Sequence, residues 1–443
     1  MRKKLIIGLF LIGFVFISGQ SRKIDFEQYD LSNGMNVILH KDNSLPIVAI
    51  TLTYHVGSKN EDPERTGFAH FFEHLMFEGS KHIERGQFDK LSQGAGGTNN
   101  ASTSQDKTFY YQIFPSNQLE LGLWMESERL LHLKIDSTGV ETQRKVVKEE
   151  RKQRYDNQPY GSLIEQTFKR AFTNHPYNWT PIGSAQYIDK ATLNEFMDFY
   201  KKFYIPQNVT LSIAGDIDIA KTKELIKKYF EDIPKGKTEI KPITIIEPPL
   251  AGEVRDTVYD NIQLPLVLHA YRIPAQGTSD YYALDMLSTL LAQGQSSRLY
   301  KELVDKQQKA VFAGSFNFAL EHPGLFITYG VTNVGVQGDQ LEAAMQFEID
   351  KVKKELISEN EFQKLRNQTE NDFVNSNSTM VGIAGSLANY HVYYGDANLI
   401  NNEINRYMKV TREDIKKAAN KYLNTDNRVV LYYLPKAAKK DKS

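Results

Sequence analysis

The sequence has no cysteine, and it has no excess of charge of either sign. Without cysteine the chain can form no disulfide bond, carry no cysteine-linked lipid and offer no thiolate to a metal, so any metal site must use histidine and carboxylate side chains. Lysine and arginine together number 54, as do aspartate and glutamate, which gives a formal net charge of +0. This balance argues against nucleic acid or an acidic polymer as the main partner.

The segment 1–20 differs from the rest of the chain. Three basic residues at positions 2–4 precede an apolar run over positions 5–17, and small or polar residues follow at 18–21. This order is typical of a secretory signal peptide, and the run is short for a transmembrane helix. We therefore expect a signal peptide at 1–20 and export to a bacterial periplasm, with no stable membrane span after cleavage. A membrane anchor formed by an uncleaved leader is the alternative.

The chain contains an internal repeat. The segment 45–48, Leu-Pro-Ile-Val, recurs as Leu-Pro-Leu-Val at 264–267, and a predicted helix-then-strand unit at 192–216 recurs at 411–435. The interval from the first copy to the second is the same for both pairs. Agreement at both ends predicts duplication of a domain of about 200 residues. Two unrelated α+β domains with chance similarity are the alternative.

Each half mixes predicted strands with long predicted helices, which favours an α+β fold of two tandem homologous domains. In each domain we expect an antiparallel-rich sheet packed with helices. The expected organisation is a signal peptide at 1–20, a first domain at 24–233, a linker at 234–256, a second domain at 257–435 and a disordered basic tail at 436–443.

The most specific chemical motif is His-x-x-Glu-His, formed by His70, Glu73 and His74. The stretch 67–78 is expected to be helical with Thr66 as its cap, so the two histidines lie on one face. Both imidazoles can then reach one metal ion, and Glu73 can hold a metal-bound water and take its proton. The alternative is a buried helix with two structural histidines, but buried polar groups need partners, and a metal supplies them.

A catalytic zinc ion usually has three protein ligands, so a third ligand is required. The charged helical segment 144–151 offers two neighbouring candidates, Glu149 and Glu150. The spacing alone does not choose between them, and the same segment is also compatible with a solvated helix face.

Four segments together resemble the pitrilysin/insulinase family of zinc metallopeptidases, the inverzincins, in its branch of two-domain bacterial and mitochondrial-processing-peptidase-like subunits. They lie at 67–74, 96–103, 146–150 and 294–300, and the resemblance covers essentially everything after the predicted signal peptide. It implies the pitrilysin-type, LuxS-like fold, with a catalytic first domain and an inactive second domain.

In that family the third ligand is a glutamate that follows the second histidine at the same interval at which Glu150 follows His74 here. The resemblance therefore implies Zn²⁺ held by His70, His74 and Glu150. It also implies a metalloendopeptidase in which Glu73 activates a zinc-bound water to hydrolyse peptides or unfolded polypeptides. The family often has a carboxylate two helical turns before the third ligand, where this chain has Gln143.

A substrate-binding strand is also implied. The residues Asn100, Ala101, Ser102 and Thr103 resemble the family's edge strand, along which a peptide substrate would lie as an added strand and bond through its main chain. The alternative is an ordinary turn and strand.

Complete family members have an arginine and a tyrosine, in the half of the molecule that faces the zinc, which help to hold the substrate. Val304 and Val311 stand at those positions here, and family enzymes enclose their substrate between four such domains rather than two. The resemblance thus implies a second pitrilysin-type subunit that supplies this Arg/Tyr clamp, and it favours a heterodimer over a homodimer. A non-catalytic structural or partner subunit and a zinc hydrolase with a non-peptide substrate are the competing interpretations.

Overall fold

The computed structural model describes residues 23–437. The predicted signal peptide and residues 438–443 of the predicted tail lie outside the described residues. Between residues 23 and 437, no helix has both the length and the apolar character needed to cross a membrane.

The first sheet consists of β1 (Glu27–Asp30), β2 (Asn36–Lys41), β3 (Ile47–Tyr54), β4 (Thr98–Thr103), β5 (Thr108–Pro115) and β6 (Val209–Gly215). Their order in space is β1-β2-β6-β3-β5-β4. The central strands β3 and β6 are buried almost throughout, which matches their content of β-branched and aliphatic residues. At one end of the sheet β4 pairs only with β5, so its other edge carries no strand among the described residues.

The second sheet consists of β7 (Val254–Asp260), β8 (Leu266–Ile273), β9 (Ala310–Phe318), β10 (Gly324–Thr332) and β11 (Arg428–Pro435). Its order, β7-β11-β8-β10-β9, repeats the order β2-β6-β3-β5-β4 of the first sheet. In each sheet one pair is parallel, β2 with β6 and β7 with β11, and the described pairs that remain are antiparallel. The predicted α+β fold of two similar, antiparallel-rich domains is therefore confirmed.

The linker region ends inside the second sheet. Strand β7 begins at Val254, inside the predicted linker 234–256, and its ladder with β11 starts at the pair Val254–Val429. The exact limits of the two domains stay predictions.

Helices cover both sheets. Those of the first half are α1 (Phe68–Leu75), α2 (Phe88–Gly94), α3 (Leu119–Leu131), α4 (Ser137–Arg151), α5 (Leu163–Ala171), α6 (Ala185–Lys190), α7 (Leu193–Phe203) and α8 (Ile219–Phe230). Those of the second half are α9 (Ser279–Ala292), α10 (Gly338–Lys354), α11 (Glu359–Ser376), α12 (Met380–Tyr394), α13 (Leu399–Met408) and α14 (Arg412–Tyr422). Helices α7 and α14 both start with a capping box, at Thr192 and Thr411, so the repeat extends to the way these helices begin.

One helix of each half packs against the sheet of the other half. Phe168 of α5 is fully buried in a cluster with Leu268 and Leu431 of the second sheet. Leu387 of α12 is fully buried in a cluster with Ile38 and other residues of the first sheet. The two halves therefore share their cores.

A buried polar network also joins the halves. The Lys59 ammonium lies 3.0 Å from Asp106 Oδ1 and also contacts the Glu321 carboxylate of the second half. Asp106 Oδ2 accepts the Glu321 N–H at 3.0 Å, and Asp106 Oδ1 accepts the Tyr177 hydroxyl at 2.5 Å. His55 Nε2 lies 2.7 Å from Glu321 Oε2. These contacts hold charged groups in the junction by giving each a partner.

Candidate metal centre

Helix α1 carries the His-x-x-Glu-His motif, and the buried carboxyl group of Glu61 accepts hydrogen bonds at its start. Glu61 accepts the Gly67 N–H at 2.9 Å, the Ala69 N–H at 2.8 Å and the Trp179 indole N–H at 3.0 Å. These bonds satisfy donors at the helix start, and burial raises the pKa of the Glu61 carboxyl to about 8, so at pH 7 the group accepts them in a largely neutral form. The expected cap, Thr66, does not fill this role, because its hydroxyl accepts the Ser184 N–H instead.

The structure brings His70, His74 and Glu150 together. Glu150 Oε2 lies 3.5 Å from His70 Nε2 and 3.2 Å from His74 Nε2. Ligand atoms held by a tetrahedral zinc at bond lengths of about 2.0–2.1 Å are roughly 3.3 Å apart. The three side chains also form a group in which one potential ligand atom from each lies within 4.8 Å of the others. Both the donor types and their separations fit a zinc ion.

Glu149 points elsewhere. Its side chain is exposed and lies 3.6 Å from Lys152 Nζ, while Gln153 Nε2 donates to it at 3.3 Å. Glu150 lies on the inner face of α4, and Arg154 Nη1 holds its other oxygen, Oε1, at 2.8 Å. Arg154 belongs to the π-helical turn that continues α4, and this pairing leaves Oε2 directed at the histidines.

Gln143, two turns before Glu150 on α4, contacts His74 at its other ring nitrogen, Nδ1. Its Oε1 lies 3.1 Å from His74 Nδ1, and its Nε2 donates to Glu78 Oε1 at 2.5 Å. Glu78 in turn accepts a bond from Arg85. An acceptor at Nδ1 fixes the proton there, which leaves Nε2 of His74 free to bind a metal. Gln143 thus occupies the place of the family's usual carboxylate and uses its amide oxygen.

Burial sets the protonation of His70. It lowers the pKa of His70 from 6.5 to about 4, and the neighbouring charge of His74 acts in the same direction, while Glu150 opposes both. His70 is therefore neutral at ordinary pH, which is the form that binds metals. Its Nδ1 is buried and has no hydrogen-bond partner among residues 23–437.

Glu73 faces the edge strand. The Thr103 hydroxyl donates to Glu73 Oε2 at 2.6 Å, which ties α1 to β4. Burial raises the pKa of the Glu73 carboxyl, and the bond from Thr103 partly offsets this effect. Thr103 is thus a predicted substrate-strand residue whose side chain contacts the motif.

The other predicted strand residues, Asn100, Ala101 and Ser102, lie on β4 as expected. The strand alternates between exposed and partly buried side chains, as an edge strand does. The Ala101 N–H is bonded at 2.9 Å to the Asn100 side-chain oxygen. This donor is therefore directed away from β5 and towards the open edge of the sheet.

The two valines at the expected clamp positions differ in their surroundings. Val304 packs against the second core, and Val311 is exposed at the start of β9. Neither side chain has a hydrogen-bond donor, so neither can hold a substrate as arginine or tyrosine would.

The second half has no equivalent of the metal ligands among its described residues. The interval of the internal repeat places Thr289, Gln293 and Thr369 opposite His70, His74 and Glu150. Thr289 of α9 and Thr369 of α11 line a common cavity of about 680 Å³, which supports the equivalence of the two places. This cavity therefore lies at the place in the second half that corresponds to the first site, but histidine and glutamate ligands are absent at the three corresponding positions.

Both halves match models of known protein families. Residues 36–183 match Insulinase (Peptidase family M16), and residues 190–369 match the Peptidase M16 inactive domain. The chain belongs to peptidase family M16. Among the curated M16 relatives, zinc protease PqqE of Helicobacter pylori is 32% identical over 412 residues, which are 92% of this chain and 93% of PqqE. The uncharacterized zinc protease YmxG of Bacillus subtilis is 24% identical, over 77% of this chain and 82% of YmxG.

Solved structures agree with the M16 assignment. A protease from Helicobacter pylori has a TM-score of 0.89 and 31% identity, and the match covers 93% of this chain and 100% of that one. The periplasmic protease PqqL from Escherichia coli has a TM-score of 0.76 and 17% identity, and the match covers 96% of this chain but 49% of PqqL. The resemblance to the pitrilysin/insulinase family and the pitrilysin-type fold are confirmed.

Proposed function

We propose that this chain is a zinc-dependent endopeptidase that hydrolyses peptides or unfolded polypeptides. The observation that carries the proposal is the convergence of His70, His74 and Glu150 at separations that suit a tetrahedral zinc, beside the Glu73 that shares a helix with both histidines. The naming of relatives as zinc proteases supports zinc as the metal.

The residues of the site divide the chemistry between them. A bound zinc ion supplies Lewis acidity, which polarises the scissile carbonyl and lowers the pKa of water. Glu73 takes the proton of the attacking water and passes it to the leaving amine. Thr103 holds one oxygen of Glu73, so the other oxygen remains available for the water.

The open edge of β4 supports a polypeptide substrate. An extended chain that pairs with β4 would find an outward N–H at Ala101 and would lie beside Glu73, because Thr103 links that strand to the motif. Strand pairing requires a free stretch of backbone, so flexible peptides and unfolded chains suit the site better than folded proteins.

Substitutions of three glutamates test this function. In Glu73→Gln we expect zinc content to equal that of the unaltered chain while hydrolysis of a quenched peptide falls roughly 10²- to 10⁴-fold. Glu150→Gln should bind one zinc fewer, and Glu149→Gln is the matched control because its side chain, next along the helix, is exposed. Full activity in Glu73→Gln would disprove the assigned base, and unchanged zinc in Glu150→Gln would disprove the assigned ligand.

We further propose that the active enzyme contains a second pitrilysin-type subunit, and that this subunit differs from the present chain. The apolar side chains of Val304 and Val311 support a clamp supplied from outside, and the chain matches about half of PqqL, which leaves room in that enzyme for a second unit of this size. Size-exclusion chromatography with peptidase assays on the purified chain tests this proposal. Full activity from a homodimer would exclude the heterodimer.

Export to a bacterial periplasm is proposed from the leader pattern at 1–20, and the description of PqqL as periplasmic is consistent with it. Fractionation of cells that express the full chain, with sequencing of the mature N-terminus, tests both the compartment and the cleavage. A protein found in the membrane with its leader intact would favour the anchor instead.

A further inference from the structure

A second group of potential metal ligands lies outside the site described above. His82, Glu128 and His132 bring their ligand atoms within 4.8 Å of one another. His82 belongs to the loop between α1 and α2, Glu128 to the last turns of α3, and His132 directly follows α3. None of these three elements supplies a ligand to the first site.

The Glu128 carboxylate and the backbone beside both histidines are held by hydrogen bonds. Glu128 is 5% exposed, and its Oε2 accepts the Ser80 hydroxyl at 2.7 Å and the His82 N–H at 3.2 Å. The Lys81 N–H donates to the His132 carbonyl at 3.0 Å. These bonds fix both the loop and the helix end, so little ordering is needed when a ligand binds.

The remaining carboxylate oxygen is positioned for coordination. Glu128 Oε1 lies 2.8 Å from His82 Nδ1, where a single proton now joins them. A zinc ion in place of that proton needs these atoms roughly 3.3 Å apart, so a movement of about half an ångström suffices. The rings of His82 and His132 are 5.6 Å apart between centroids and nearly perpendicular, at 86°.

The group is open to solvent on one side. The His82 side chain is 50% exposed, whereas that of Glu128 is 6% exposed. An ion can therefore enter from solvent, and water can complete its coordination. Two imidazoles and one carboxylate are a ligand set that zinc prefers, while calcium and magnesium prefer oxygen ligands.

We propose that His82, Glu128 and His132 form a second Zn²⁺ site, separate from the site at His70, His74 and Glu150. Zinc there links the loop that follows α1 to the end of α3. That same loop contains Arg85, which contacts Glu78, and Glu78 accepts the bond from Gln143 behind His74. The second ion thus stabilises the segment that supports the first site.

Zinc stoichiometry tests the proposal. We expect about two zinc ions per unaltered chain after equilibrium dialysis, and about one in His82→Ala/His132→Ala and in His70→Ala/His74→Ala. Glu128→Gln is the sharper variant, because its amide oxygen still accepts the Ser80 and His82 bonds while a charged ligand is lost. His391→Ala, a partly buried histidine on α12, is the control and should leave the stoichiometry unchanged.

Thermal unfolding gives a second readout that needs no enzymatic activity. In the His70→Ala/His74→Ala background, added Zn²⁺ should raise the unfolding temperature by a few degrees, because an ion that binds only the folded chain stabilises it. Adding Glu128→Gln should abolish this rise. One zinc per unaltered chain, or a rise that survives Glu128→Gln, would overturn the proposal, and the latter result would identify adventitious surface binding only.

Discussion

At the scale of single residues, Gln143 sets which ring nitrogen of His74 carries the proton and which is free for the proposed zinc ion. Its amide oxygen fixes the proton on His74 Nδ1, and its amide nitrogen is held by Glu78. Partners of this kind orient a ligand and raise its basicity even though they do not touch the metal. The amide is neutral, so it does this without adding negative charge to a site that already contains Glu150 and Glu73.

Removing this partner is expected to loosen the metal. Gln143→Ala should weaken zinc affinity by roughly 10- to 100-fold, as the loss of such partners does in other metal sites. Competition with a chromophoric chelator measures the change. Glu141→Gln on the same helix is the control, because Glu141 is exposed and bonds only to Arg144 among the contacts described for it. Equal affinities in the two variants would show that Gln143 has no part in zinc binding.

The sequence allows the motif residues to be predicted but not their supports. His70, Glu73 and His74 follow from helical spacing, because residues three and four apart are neighbours on one face. No such spacing in the sequence indicates that Glu61 holds the start of α1 or that Arg154 holds the Glu150 carboxylate. Glu61 accepts bonds from the start of α1 and also from Trp179, 118 positions away, and spacing along the chain does not reveal such a tertiary contact.

At the scale of elements, the important feature of β4 is that its successive N–H groups point alternately towards β5 and towards the open edge of the sheet. Since the Ala101 N–H points to the open edge, the N–H groups of its two neighbours point towards β5. A substrate strand that pairs here, as proposed, would leave the pairing of β4 with β5 intact and would replace the Asn100 side-chain oxygen as the partner of the Ala101 N–H. The period of two that predicts a strand does not indicate which edge is open, because that depends on the strand order of the whole sheet.

Proline substitutions can remove an outward-facing N–H donor or one that faces β5, and so test the two roles separately. Ala101→Pro removes the outward donor, so we expect kcat/KM for a peptide to fall roughly three- to tenfold with little change in the unfolding temperature. Ser102→Pro removes a donor that faces β5 and should lower the unfolding temperature. Steady-state kinetics and thermal melts on both variants check this. An unchanged kcat/KM in Ala101→Pro would argue against substrate pairing along β4.

At the scale of the whole molecule, the exchange of α5 and α12 makes the two halves depend on each other. The internal repeat allows two similar domains to be predicted, and the sheets repeat accordingly. The exchange could not be predicted in this way, because an apolar helix face does not specify which sheet it covers.

This dependence predicts one unfolding transition for the whole chain. Phe168→Ala and Leu387→Ala each leave a cavity under the other half's sheet and should cost about 2–5 kcal/mol. Ile246→Ala, at a position that is 87% exposed, is the control. Calorimetry should show that both core variants shift a single transition. Two separate transitions, with Phe168→Ala affecting only the first half, would contradict the shared core.

The stability of the fold is also expected to depend on pH, through a histidine at the junction between the halves. Burial lowers the pKa of His175 from 6.5 to about 4, and the nearby His322 acts in the same direction, while Asp106 and Glu247 oppose it. Its Nδ1 accepts the Tyr177 N–H at 3.2 Å, so the neutral ring is the form that fits. Between pH 6.5 and 4 the unfolded chain binds a proton at this position that the folded chain does not bind. The contribution of neutral His175 to the free energy of unfolding is therefore complete above about pH 6.5, and it is lost as the pH falls towards 4.

His175→Asn is expected to flatten this part of the stability profile, because the asparagine oxygen can still accept the Tyr177 N–H but does not titrate. Between pH 7.5 and 5.0 the unaltered chain should lose about 2 kcal/mol more than the variant in its free energy of unfolding. Denaturant titrations at the two pH values measure the difference. Glu321 does not interfere, because its pKa is lowered to about 2 and its contribution is lost only below about pH 4.5. Equal losses in both proteins would show that His175 takes up its proton without opposing the fold, and that the junction does not sense acid through this residue.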